Sequence, residues 1–153
     1  MMTETQFIRN RCLGLIRESS MNESHWEMTI LDDVHPQIQR SEPLMAEEYP
    51  MVSFFAGEGE RTIYTTHRMV GKIEGSRTEI PRMDYDSSFF GDFKQDLDSP
   101  RVTIAIITHA RKKSRFLYES GYASMAPIHY FKFWSHKWPV WRRIYEIGVK
   151  GQR

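Results

Sequence analysis

A mostly antiparallel α+β domain, with one N-terminal helix packed on a sheet of six or seven strands, is the fold class predicted by this sequence. Three observations predict it. Ile8, Cys12, Leu15 and Ile16 recur at helical spacing directly behind a Thr3/Gln6 capping box. The runs Met51–Phe55 and Arg101–His109 are dense in β-branched and aromatic residues. Turn residues such as Gly57-Glu58-Gly59 and Gly75-Ser76 separate the strand-like runs.

The helix is expected from about Glu4 to Glu18. Gly14 weakens it by roughly 1 kcal/mol relative to alanine, and Ser19-Ser20-Met21-Asn22 stops it. Trp26–Leu31 is a short candidate strand, ended by Asp32-Asp33 and the His35-Pro36 break. Residues 37–48 are polar, acidic and interrupted by Pro43, and read as a long loop or arm. Pro50 introduces a nearly continuous apolar run, which suits a strand buried on both faces. Arg61–Glu74 follows it as the second limb of a hairpin joined at Gly57–Glu60. Arg77–Met83 reads as an edge strand, because Pro81 removes one ladder donor.

Asp84–Pro100 lacks a period and reads as a loop with one helical turn, and Arg101–His109 is the clearest strand. Arg111–Arg115 suits a turn or a sheet edge. Ile128–Trp134 and Trp141–Val149 are predicted as the last strands, on either side of a break at Trp138-Pro139; His67 is placed at the centre of a strand. A single domain over residues 1–153 is expected, with no internal repeat.

Charge is divided along the chain. From Pro100 onward eleven Lys and Arg face two acids, net +9, whereas residues 1–99 hold ten against eighteen, net −8; the whole carries +1. Such a bipolar chain can grip an anionic partner with one end, or dock its basic end onto the acidic part of another copy. No apolar run approaches the roughly twenty residues of a membrane span, and the acids of MMTETQFIRN do not suit a signal peptide. The single cysteine, Cys12, forms no internal disulfide and fits a reducing cytosolic origin.

Catalytic and metal-binding signatures are weak. Among the six histidines, His109, His129 and His136 have no ligand-spaced neighbours, so neither a metal nor another cofactor is expected. The acids Asp32-Asp33, Glu47-Glu48, Asp84 with Asp86, and Asp92 with Asp96 and Asp98 offer no distinguished general acid–base pair. Gly57-Glu58-Gly59-Glu60 carries carboxylates that would repel a phosphate, and its turn role accounts for it. Ser19-Ser20 has no nucleophile-elbow context.

The basic aromatic part, 100–153, carries the main functional signal. Arg111, Lys112, Lys113 and Arg115 form one cluster; Lys132, Lys137, Arg142 and Arg143 form a second, interleaved with Tyr130, Phe131, Phe133, Trp134, Trp138 and Trp141. Cationic grooves with stacking rings bind single-stranded nucleic acid, while Arg and Trp are also favoured anchors of protein interfaces.

The helix over Phe7–Ile16, the irregular acidic arm and Tyr49-Pro50-Met51-Val52-Ser53-Phe54-Phe55 followed by a Gly-Glu turn and strands resemble the tail-terminator and tail-completion (neck) proteins of tailed bacteriophages. The resemblance covers about the first 75 residues. It departs in the C-terminal half, where that layout has a long second helix and this sequence reads as strands. It implies a small α+β subunit that closes into rings and joins tail to neck, present in the host cytoplasm during assembly and then in the virion. Ring subunits meet through head-to-tail surfaces, which a basic and an acidic edge satisfy.

The expectation is therefore a non-enzymatic assembly protein acting as a homo-oligomer with other structural proteins. In that reading Arg111–Arg115 and Lys132–Arg143 meet acids such as Glu42, Glu47 and Glu48, and Trp134, Trp138 and Trp141 supply buried area. A small nucleic-acid-binding accessory protein is the alternative.

Overall fold

The computed structural model describes residues 2–20, 22–94 and 99–151; Met21, Asp96 and Asp98 lie outside them. The α+β class holds: an N-terminal helix, a C-terminal helical segment and antiparallel strands. Eight strands occur among the described residues, in two sheets of five and three.

Helix α1, Glu4–Ser19, begins with the predicted capping box. Thr3 Oγ1 accepts from the Gln6 backbone N–H at 3.1 Å, and Gln6 Oε1 accepts from the Thr3 N–H at 3.0 Å. Its buried face is Ile8, Cys12, Leu13 and Ile16, with Leu15 packed only at the margin.

Strands β1 (Thr29–Leu31), β2 (Pro50–Gly57), β3 (Glu60–Thr65), β4 (Arg68–Ile73) and β5 (Ser76–Pro81) form an antiparallel meander in chain order. The hairpin at Gly57–Glu60 is where the sequence placed it, but Arg61–Glu74 is two strands, separated at Thr66-His67. His67 is therefore in a turn. β5 is the expected edge, with Pro81 at its end.

Period-two alternation divides this sheet. Val52, Tyr64, Met69 and Ile80 lie in register on one face and enter the main core. Ser53, Ile63, Val70 and Glu79 lie in register on the other. Residues 33–48 cover that second face: Val34 and Ile38 pack on Ile63, and His35 stacks on Phe55 with ring centroids 4.9 Å apart. The expected arm is thus a lid folded back on its own sheet.

The second sheet contains β6 (Tyr85–Phe89), β7 (Val102–His109) and β8 (Lys112–Glu119), with β7 central. β6 corrects the loop expected over 84–100. Its Ser87 and Ser88 have weak strand propensity, and pairing with β7 supplies the order they lack. The two sheets meet where Phe116 of β8 covers Gly71 of β4, and where Thr62 Oγ1 donates to the Leu117 carbonyl at 2.7 Å.

The largest correction is C-terminal. Residues predicted as strands form helix α2 (Met125–Lys132), a π-helical turn (Phe133–Lys137) and helix α3 (Trp138–Gly151). Buried Ala126 and Tyr130, and buried Pro127 and Phe131, are spaced four residues apart; aromatic density made the same stretch look period-two. Pro139 lies in the first turn of α3, where its fixed φ is helical. The wider π turn before it accommodates the missing N–H and the ring.

Candidate interaction surface

The first basic cluster is a hairpin tip. Ala110 (φ 45) and Arg111 (φ 66) both occupy the left-handed region between the paired residues His109 and Lys112, as a two-residue type I′ connection requires. Arg111, Lys112, Lys113 and Arg115 are exposed there. The second cluster, Lys132, Lys137, Arg142 and Arg143, is exposed along the C-terminal helices, and Arg142 Nε contacts Glu146 Oε1 at 3.1 Å.

The rings between these cations are largely committed to the fold. Tyr130, Phe131 and Phe133 are buried. Tyr130 Oη donates to the Thr65 carbonyl at 2.7 Å and lies 2.9 Å from Tyr85 Oη; burial pushes both phenols above their ordinary range. Trp134, Trp138 and Trp141 are half-buried. The Arg82 guanidinium lies over Trp134 and Trp138 at 4.9 and 5.9 Å, and that of Arg11 over Trp141 at 4.1 Å. These contacts tie α3 to α1 and to the segment before β6.

The acids expected to receive the basic end are divided. Glu42 and Glu48 are buried and held within the chain. Glu48 Oε2 is 2.9 Å from Arg68 Nε and accepts from Thr65 Oγ1 at 2.6 Å; Glu42 Oε1 is 2.5 Å from an Arg77 terminal nitrogen. Only Glu47, in a left-handed conformation, is exposed. Glu42 and Glu48 fasten the lid, so the acidic arm is not an extended surface.

Apart from Met2 and Met45, the large apolar side chains that stand exposed among the described residues fall into two groups. Met83 (81 % exposed) and Phe89 (68 %) flank β6, with Val102 and Ile104 exposed beyond them on β7. Val140 (59 %), Ile144 and Ile147 (69 %) make a stripe along α3. The sequence did not reveal the β6–β7 set because residues 84–100 read as a loop, nor the α3 set because strand and helix assign different faces to the same residues. The Phe89-Phe90 doublet was a usable signal for the first, since a strand turns one of the two away from the core.

Two grooves adjoin these faces. One, of about 220 Å³, lies between β6 and the C-terminal helices and is lined by Arg82, Tyr85, Ser88, Phe131, Trp134 and Trp138, among others. Burial holds the Arg82 guanidinium below its usual range against the opposing pull of Glu4. The other groove, about 380 Å³, runs between α1 and α3 past Gly14, Leu15, Phe133, Val140 and Trp141.

Among the described residues no three His, Cys, Asp or Glu side chains converge at metal-binding distance. The histidines His35, His67 and His129 are each pushed toward the neutral form, chiefly by burial. Burial raises the Cys12 thiol far above its ordinary value, which leaves it unreactive. Among the described residues no helix is long and apolar enough to cross a membrane. No protein-family model, curated protein or solved structure matches this chain.

Proposed function

We propose that this chain is a non-enzymatic assembly protein that works by self-association, most concretely as a tail or neck subunit of a tailed phage. One observation carries the reading: among the described residues, seven of the nine exposed large apolar side chains fall into two groups, on β6–β7 and on α3, with only Met2 and Met45 apart from them. Grouped patches of this kind mark protein contacts, while single exposed apolar residues are ordinary. Two distinct patches on one subunit suit head-to-tail contacts, which close into rings.

The phage assignment rests on the resemblance of layout. Its departure was the reading of the C-terminal half as strands, and residues 125–151 are helical instead. The subunit would act in the host cytoplasm during assembly and thereafter in the particle.

Nucleic-acid binding draws less support. Tyr130, Phe131 and Phe133 are core residues and cannot stack bases. What remains for that role is the exposed hairpin cations of Arg111–Arg115, and Lys132, Lys137, Arg142 and Arg143 beside the half-buried Trp134, Trp138 and Trp141.

Light scattering after size exclusion at low ionic strength, with negative-stain imaging, tests the proposal. The expected result is a discrete oligomer larger than a dimer. A monomer at every concentration, together with a single-strand mobility shift abolished by Glu at 111, 112, 113 and 115, would replace assembly with the nucleic-acid reading.

A further inference from the structure

The geometry points to a specific head-to-tail contact between copies: the Met83/Phe89 edge of one subunit seats in the α1–α3 groove of the next. This rests on the assembly reading and names the two surfaces that meet.

The receiving surface follows from helical geometry. At about 100° per residue, Val140, Ile144 and Ile147 share one side of α3; the stripe borders Trp141, which packs on Phe7, and Tyr145, whose ring centroid is 5.3 Å from that of Phe7, lies beyond Trp141. The same geometry puts Lys137 on one side of the stripe and Arg143 with Lys150 on the other. Val140 also lines the groove against α1, so stripe and groove are continuous. Gly14 leaves that groove open: a Cβ added there would meet no atom within 4 Å.

The inserting surface has complementary chemistry. Met83 and Phe89 are among the most exposed large apolar side chains and stand at either end of β6. Asp84, Asp86 and Asp92 are exposed around them. Glu18 also lines the groove, and Lys94 and Arg101 are exposed near the edge, but cations outnumber acids along the stripe and acids outnumber cations around Met83 and Phe89; the match is with a second copy because both halves are present in one chain. The two surfaces differ, so each subunit keeps one of each after pairing and the contact propagates until it closes.

Gly14→Leu fills the groove at an open position, and it raises the helix propensity of α1. It should therefore block docking while keeping or raising the Tm, which separates loss of contact from loss of fold. Phe89→Asp removes the insert from an exposed site. In sedimentation velocity at low salt, each variant alone is expected to be monomeric. An equimolar mixture is expected to give a 1:1 dimer and nothing larger, since only one groove and one insert remain intact.

Wild-type oligomers that survive either substitution, or a mixture that stays monomeric, would overturn this contact while leaving assembly by other surfaces standing. A wild type that is itself monomeric would overturn both.

Discussion

Arg68 Nε lies 2.9 Å from Glu48 Oε2, joining the first residue of β4 to the end of the lid. The Glu48 side chain is fully buried, and Arg68 is 11 % exposed. Arg68 also reaches Glu79 at 2.7 Å, and Arg77 links Glu79 to Glu42. This network anchors residues 42–48 to β4 and β5. Because removing one member strands a buried charge, Arg68→Met is expected to cost about 3 kcal/mol, read from the urea midpoint. Replacing Glu48 and Arg68 together by apolar residues should cost less than the single change.

The same network sets an acid limit. For Glu48, burial alone would raise the carboxyl. Hydrogen bonds from Arg68, Thr65 and the Met45 N–H, with the charge of Arg68, outweigh it and hold Glu48 below the usual carboxylate range. Glu79 is held low foremost by Arg77. Groups depressed in the folded state contribute stability that is present above the unfolded pKa of about 4.3 and lost as pH falls through the folded value. Urea midpoints are therefore expected to be insensitive to these groups from pH 7 to about 5, then to fall. Glu48→Gln should be weaker at neutral pH and show a shallower acid decline.

Gly71 and Phe116 couple the two sheets. A Cβ on residue 71 would stand 2.5 Å from Phe116 Cδ1, and Phe116 is fully buried. Gly71→Ala is expected to destabilise by about 1–3 kcal/mol through overpacking. Phe116→Leu in the same chain should recover part of that loss, giving a non-additive double-mutant cycle in denaturant titrations.

Glu119 secures the approach to β1. Its carboxylate accepts from the Glu27 and Met28 backbone N–H groups and from Thr29 Oγ1, each at 2.8 Å. Glu119→Ala orphans one buried donor, Thr29 Oγ1, and leaves two partly buried N–H groups that water can reach in part; it is expected to cost about 2–4 kcal/mol. Amide exchange at residues 27–29 should accelerate more than in β3, which distinguishes local release from general weakening.

Legibility in the sequence followed the range of the interactions. The Thr3/Gln6 box, the Gly57–Glu60 hairpin and the β7 strand are determined within a few residues, and each is where the sequence placed it. β6 was not legible, because Ser87 and Ser88 depend on β7 for their order. Ile128–Trp134 and Trp141–Val149 were misread as strands, the first because Tyr130, Phe131, Phe133 and Trp134 satisfy a two-residue and a four-residue period alike. Contacts with α1 select the helix: Trp141 and Tyr145 both reach Phe7.

The candidate surface divides in the same way. Arg111, Lys112, Lys113 and Arg115 were legible because four cations on a short turn remain exposed in almost any fold. The roles of Glu42 and Glu48 were not, since an acid-rich loop has the same composition whether it extends or folds back.

By itself the sequence determined the charge division, the N-terminal helix and most of the strands, all properties of near neighbours in the chain. Only the tertiary structure decided which charges are consumed internally and which apolar residues are left outside. The physical reason is that burial and pairing depend on residues far apart in sequence, as when Arg68 and Arg77 reach back to Glu48 and Glu42. Glu42 and Glu48 are accordingly buried, while Asp84, Asp86 and Asp92 stay exposed.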